Sequence, residues 1–217
     1  MDLSTRPVIV TGAGGRLGRV LVRHLTEAGA PVAALDHAEP ADFPAGVRSW
    51  QADVTDGANV ARVFDAVVDA LGTPWALIHT VGTWDGGPLA TTSREGWDHV
   101  LNLNLTSAFL CVRAFARRAT DGRIVGIASR QGADRGPAQQ AAYAASKAGV
   151  IRLLEATSAE HDNLACVSVA PSMILFGTEA EGTPGVSAEA IAALCVQLCG
   201  DAGAVHDGAV LRAYGTG

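Results

Sequence analysis

Tyr143 and Lys147 stand four residues apart in the run Gln140-Ala-Ala-Tyr143-Ala-Ala-Ser-Lys147-Ala-Gly-Val150. The alanines around them favour a helix, and a four-residue step on a helix brings both side chains to one face, one turn apart. An ammonium near a phenol favours the phenolate and lowers its pKa, and a phenol tuned in that way can give or take a proton. Taken alone, such a pair is more often a solvated lysine beside a half-buried tyrosine. A second set of residues bears on its meaning: Gly12-Ala13-Gly14-Gly15-Arg16-Leu17-Gly18. Glycines let the backbone approach a pyrophosphate, and a helix that starts there offers free N–H groups and the positive end of its dipole.

The elements that must position these groups follow from the apolar pattern. Pro7-Val8-Ile9-Val10-Thr11 is a buried parallel strand that ends at the glycines. Leu17, Val20, Leu21, Leu25 and Ala28 then recur with helical period up to Gly29. Strand, glycine loop and helix together give the context of a dinucleotide site. The second strand, Val32–Leu35, ends in Asp36, eighteen residues past Gly18. A carboxylate there can accept hydrogen bonds from both adenosine ribose hydroxyls and repel a 2′-phosphate, which favours NAD(H) over NADP(H). Arg16, Arg19 and His37 are the basic groups that could instead take that phosphate.

Further strands are expected at 47–50, 75–78, 122–128 and 165–169, with a last apolar stretch at 209–211. Helices are expected on the Val60–Leu71 face, as one long helix around Trp97–Phe115, around Tyr143 and Lys147 as far as Glu155, and over Ala188–Cys199; residues 38–46, with Pro40 and Pro44, read as a surface loop. Asn102 and Asn104 fall inside the long helix, where asparagine is a poor former unless something local uses its amide. Ser129 sits at the C-terminal end of the fifth strand, the side on which open α/β sheets bind ligands. The alternation calls for a parallel sheet covered on both faces, an α/β/α sandwich in one domain spanning 1–217.

Composition narrows the partners. A formal charge of −6 and 5% aromatic residues argue against nucleic acid. No apolar run reaches the length of a membrane span, and the first residues lack the core of a signal peptide, so a soluble, cytoplasmic protein is expected. Cys111, Cys166, Cys195 and Cys199 and the six scattered histidines form no metal-ligand pattern, so no metal is expected.

Thr11-Gly12-x-x-Gly15-x-x-Gly18, Asp36, Asp53-Val54, Asn104, Ser129 and Tyr143-x-x-x-Lys147 together resemble the short-chain dehydrogenase/reductase family, from about Pro7 to Pro171. The resemblance implies a Rossmann-like, doubly wound sheet of about seven parallel strands, and proton transfer by Tyr143 coupled to hydride transfer at a nicotinamide. It implies that Ser129 orients the substrate oxygen, that Lys147 lowers the Tyr143 pKa and binds the nicotinamide ribose, and that Asn104 holds a water leading to Lys147. Cofactor contacts are implied at Gly12, Gly15, Arg16, Leu17, Gly18, Asp36, Asp53, Val54, Gly82, Tyr143, Lys147, Pro171 and Ile174. Asp53 would bond the adenine amino group, with a turn cap as the plain reading; Ile174 would offer backbone groups to the carboxamide. A small-molecule alcohol or carbonyl substrate and a homodimer or homotetramer, paired through the helices at 97–117 and 142–159, are implied as well.

Departures from the family pattern carry their own expectations. Arg16 stands where a glycine is usual, and Asn-Asn-Ala-Gly becomes His79-Thr80-Val81-Gly82. A satisfied buried imidazole is the favoured reading of His79 over a functional one. Pro-Gly becomes Pro171-Ser172, and the segment after it, which normally folds a helical lid, is short. That trimming is similar to dihydropteridine reductase, so a pterin reductase is one alternative; a dinucleotide-binding regulator or scaffold without turnover is another. The residues that select a substrate are expected in 84–89, 132–139 and 176–185, loops with little pattern to read.

Overall fold

The structure, a computed structural model, describes residues 2–38 and 42–215. The middle of the expected 38–46 loop, including Pro40, lies outside the described residues.

Seven parallel strands form one sheet: β1 (Val8–Thr11), β2 (Val32–Asp36), β3 (Arg48–Gln51), β4 (Ala76–His79), β5 (Gly122–Ile127), β6 (Leu164–Pro171) and, last in the chain, β9 (Val210–Ala213). Their order is β3-β2-β1-β4-β5-β6-β9. Strands alternate faces along the chain. Val8 and Val10 pack with Leu21, Leu25, Ile191 and Cys195, while Ile9 between them packs with Phe64, Val67 and Phe115. The first face is covered by α1 (Arg16–Glu27) and α7 (Ala188–Leu198), the second by α2 (Gly57–Leu71), α4 (Ser107–Ala116) and α6 (Ala141–Glu160). Burial on both faces is why the inner strands read as unbroken apolar runs. β3, one residue later than the sequence suggests, is an edge strand and largely exposed.

Caps set several helix starts that apolar periodicity missed. Asp56 accepts from the Ala58 N–H at 2.8 Å and starts α2 three residues before Val60. Ser93 accepts from Gly96 N–H at 3.0 Å ahead of α3 (Arg94–Leu101). The expected single long helix is divided: a π turn over Asn102–Thr106 separates α3 from α4. Such a turn accommodates an extra residue, and here it carries the buried Asn104. Between β6 and α7 there is no helix; instead β7 (Ile174–Leu175) pairs in parallel with β8 (Val186–Ser187), the latter inside what reads as loop in the sequence. A short helix, α5 (Arg130–Ala133), leads away from Ser129. No helix among the described residues is long and apolar enough to cross a membrane.

Candidate active site

The strand order turns back at β1, whose neighbours are β2 on one side and β4 on the other. At such a switch point the chain leaves in opposite directions and a crevice opens at the C-terminal strand ends. The glycine loop fills one wall of it. Gly15 N–H donates to Gly12 O at 3.1 Å, and α1 begins with no side-chain cap and no acidic residue in its first turn. Gly18 lets the helix press on the loop: a Cβ there would lie 2.1 Å from Gly12 O. The resulting cleft, about 520 Å³, is lined by Gly12, Gly15, Arg16, Leu17, Gly18, Asp36 and Gly82, together with Thr80 and Val81. The other expected contact residues, Asp53, Val54, Tyr143, Lys147, Pro171 and Ile174, do not line it.

Asp36 is part of the loop as well as of the cleft. Its Oδ2 accepts from Gly14 N–H at 2.8 Å, and Oδ1 lies 2.9 Å from His37 Nδ1. Arg16 is engaged with the segment after β7: its guanidinium lies 3.9 Å over the Phe176 ring, donates to Thr178 Oγ1 at 3.2 Å and lies 3.7 Å from Glu179 Oε1. Arg19 donates from Nε to Gly14 O at 3.0 Å. Asp53 caps a turn, accepting from Thr55 N–H at 2.9 Å and Thr55 Oγ1 at 2.6 Å, which holds its carboxyl below the usual range. Val54 is buried in the core.

On the opposite side, α6 brings Tyr143 and Lys147 beneath the end of β5. Lys147 is 5% exposed, and its Nζ donates to Ile127 O at 2.8 Å. Burial lowers its pKa to about 8. Ser129 caps α5 and gives its hydroxyl proton to Gln131 Oε1 in a short bond. Burial pushes the Tyr143 phenol above its ordinary pKa, an effect that the neighbouring Ser129 hydroxyl offsets in part. This differs from the expected tuning: Lys147 directs one of its three N–H groups to a backbone carbonyl, and burial, not the Lys147 charge, sets the direction of the phenol shift.

Asn104 is held by its neighbours. Its Oδ1 accepts from Thr83 N–H at 2.6 Å, and its Nδ2 donates to Thr83 O at 3.0 Å and Ser146 Oγ at 2.8 Å. The amide clamps the loop after β4 onto α6. Gly82 is where the halves meet: a Cβ there would fall 2.9 Å from Asn104 Oδ1 and 3.1 Å from Lys147 Nζ. The site-shaping partners Thr83, Ser146 and Gln131 gave no signal in the sequence, because each acts through one long-range or loop contact with no spacing rule. His79 is 2% exposed, with Nδ1 2.9 Å from Thr11 Oγ1 and Nε2 3.2 Å from Ser107 Oγ. It is a satisfied core imidazole. Among the described residues no group of three or more His, Cys, Asp or Glu is placed to hold a metal.

A sheet wound both ways from β1, with a glycine loop at the switch point, makes this a Rossmann-like fold. The family model for short chain dehydrogenases matches residues 6–183. The chain belongs to the short-chain dehydrogenase/reductase family, a family of oxidoreductases. It is 31% identical over 238 residues to a D-threitol dehydrogenase of Mycolicibacterium smegmatis, covering 96% of this chain and 91% of that one. It is 34% identical over 175 residues to the 3-oxoacyl-[acyl-carrier-protein] reductase MabA of Mycobacterium tuberculosis, covering 78% and 70%. An uncharacterised oxidoreductase of Schizosaccharomyces pombe is 32% identical, but the match spans 64% of that protein's length and 76% of this chain. The fold superposes on an NAD+-bound xylitol dehydrogenase with TM-score 0.87, at 24% identity and over the full length of both chains.

Proposed function

We propose that this chain is an NAD(H)-linked oxidoreductase that interconverts a secondary alcohol and a carbonyl, or reduces a related C=N bond. Nucleotide cleft and proton-transfer group share one domain, which works as a homodimer or homotetramer. The observation that carries the reading is the meeting of two sets at Gly82: this residue lines the glycine-loop cleft and packs against Asn104 and Lys147. The cleft suits a dinucleotide, since α1 offers uncapped N–H groups at one end and Asp36 a carboxylate at the other. Gly12, Gly15, Leu17, Gly18 and Asp36 would hold it, with Lys147 toward the nicotinamide ribose. The chemistry supplied by the bound nicotinamide is hydride transfer.

Tyr143 gives its proton to the substrate oxygen on reduction and takes it back on oxidation. The phenol, held above its ordinary pKa by burial, carries its proton at neutral pH. Ser129 lies beside the phenol, and its hydroxyl, turned from Gln131 to the substrate, would orient the reacting oxygen. NAD(H) is favoured because Asp36 faces the ribose end, while Arg16 and Arg19 are engaged with the lid and with Gly14 O. A screen of carbonyl substrates with NADH and NADPH tests this. Turnover is expected with NADH, and Tyr143→Phe should lower kcat by about 10²–10⁴-fold while NADH still binds. Near-full turnover in the variant would remove Tyr143 from the role. Tight NADH binding with no turnover on any carbonyl would favour a regulator.

A further inference from the structure

The site has a second wall with a charge of its own. α5 starts directly after Ser129, and a cleft of about 390 Å³ beside it is lined by Arg130, Gln131, Asp134, Arg135 and Pro137. Gln131 belongs to both places: it receives the Ser129 proton and forms part of the cleft. The carboxylate of Asp134 is occupied by Arg212, whose Nε lies 2.9 Å from Oδ1, so the acidic group of the cleft is balanced from β9. No carboxylate among the described residues lies within ion-pair distance of Arg130 or Arg135, and Asp134, bonded to Arg212, feels the Arg130 charge only as a smaller influence. Arg130 lies 5.8 Å over the Tyr214 ring, a contact that orients the guanidinium and leaves its charge in place. Two unpaired guanidinium groups on one side of the site run against a chain whose net charge is −6. A local field of that sign concentrates anions, and the planar fork of arginine matches carboxylate and phosphate oxygens in pairs.

We propose that this cleft is an anion subsite, and that the substrate is a hydroxy or keto compound carrying a carboxylate or phosphate away from its reacting carbon. The inference rests on the oxidoreductase reading. The cleft across the site is different in kind: it is lined by Asp85, Thr91, Thr92 and Ser93 and offers no cation. A substrate with one charged end would therefore be bound in one direction.

The test compares 5-oxohexanoate with its methyl ester, which differ in charge, and dihydroxyacetone phosphate with dihydroxyacetone, under saturating NADH. The charged member of at least one pair should have kcat/KM about tenfold or more above its neutral partner, and the favoured pair tells carboxylate from phosphate. In Arg135→Gln and Arg130→Gln that ratio should fall toward one, through KM, and Arg130→Lys should restore part of it. Equal treatment of both pairs by the wild type, or a ratio unmoved in both variants, overturns the proposal. Calorimetry with inorganic phosphate on the NADH-saturated protein gives a readout that needs no turnover. Binding lost in the double variant supports the subsite even where no carbonyl is reduced, an outcome that would remove only the oxidoreductase reading. Absence of phosphate binding to the wild type overturns the subsite.

Discussion

The imidazole of His79 is held at both nitrogens, and one of its partners decides the tautomer. Ser107 Oγ gives its only proton to Leu103 O at 2.6 Å, so it can only accept from Nε2–H. Nδ1 then accepts from the Thr11 hydroxyl. The ring is neutral, and burial, with the nearby Lys147 charge as a smaller cause, lowers its pKa from 6.5 to about 3. Between those two values the unfolded chain binds a proton that the folded chain refuses. Stability from this group is therefore full above about 6.5 and is lost as pH falls through the window. The slope is about 1.4 kcal/mol per pH unit at most. His79→Asn removes the titration while keeping a side chain that can donate and accept. Urea unfolding of both proteins from pH 7 to pH 4 should show a shallower loss for the variant; parallel curves would mean that His79 does not set the acid limb.

At the level of elements, the short lid is fastened by one residue. Glu179 Oε2 accepts from the N–H groups of Phe176 at 2.9 Å and Thr178 at 3.1 Å, shaping a turn after β7 that Arg16 grips by stacking and hydrogen bonding. The grip joins the first turn of α1, at the nucleotide cleft, to the segment beyond Pro171. The ion pair itself is exposed and adds little to overall stability, so its effect is on the lid. Arg16→Ala should leave the melting temperature within a few degrees of wild type and speed proteolytic cleavage within 176–183 several-fold. Cleavage at the wild-type rate would show that the lid is held by β7–β8 pairing alone. The sequence was legible where structure is set locally: the Gly12–Gly18 loop, the apolar strands, and the four-residue step of Tyr143 and Lys147. It was silent where a distant partner decides. Nothing near Asn104 announces Thr83 and Ser146, which engage its amide in the π turn. Nothing near Tyr143 tells that Lys147 Nζ will reach Ile127 O and leave burial to set the phenol.

For the whole molecule, the remaining question is what covers the outer side of α4 and α6. A groove of about 340 Å³ runs between them, lined by Phe109, Val112, Ala116, Leu153 and Ala156, with Arg113, Arg117 and Glu160 along it. Phe109 is 43% exposed, and Arg113 lies 4.9 Å over its ring. An apolar strip rimmed by charge is the kind of surface a partner covers. Both signs of charge occur on this one face, so a second copy related by a two-fold axis could pair Arg117 with Glu160 in both directions. The two elements that form the strip also carry the site: α6 holds Tyr143 and Lys147, and α4 continues from the π turn that holds Asn104. Pairing here would stiffen the support of the proton-transfer group without touching it. Light scattering at micromolar concentration should therefore give a dimer or tetramer. Phe109→Glu should shift the mass toward monomer with the circular dichroism spectrum unchanged, because it places a carboxylate in the centre of the strip and opens no core. A wild-type monomer would refute the assembly, and an oligomer that survives Phe109→Glu would move the interface away from α4 and α6.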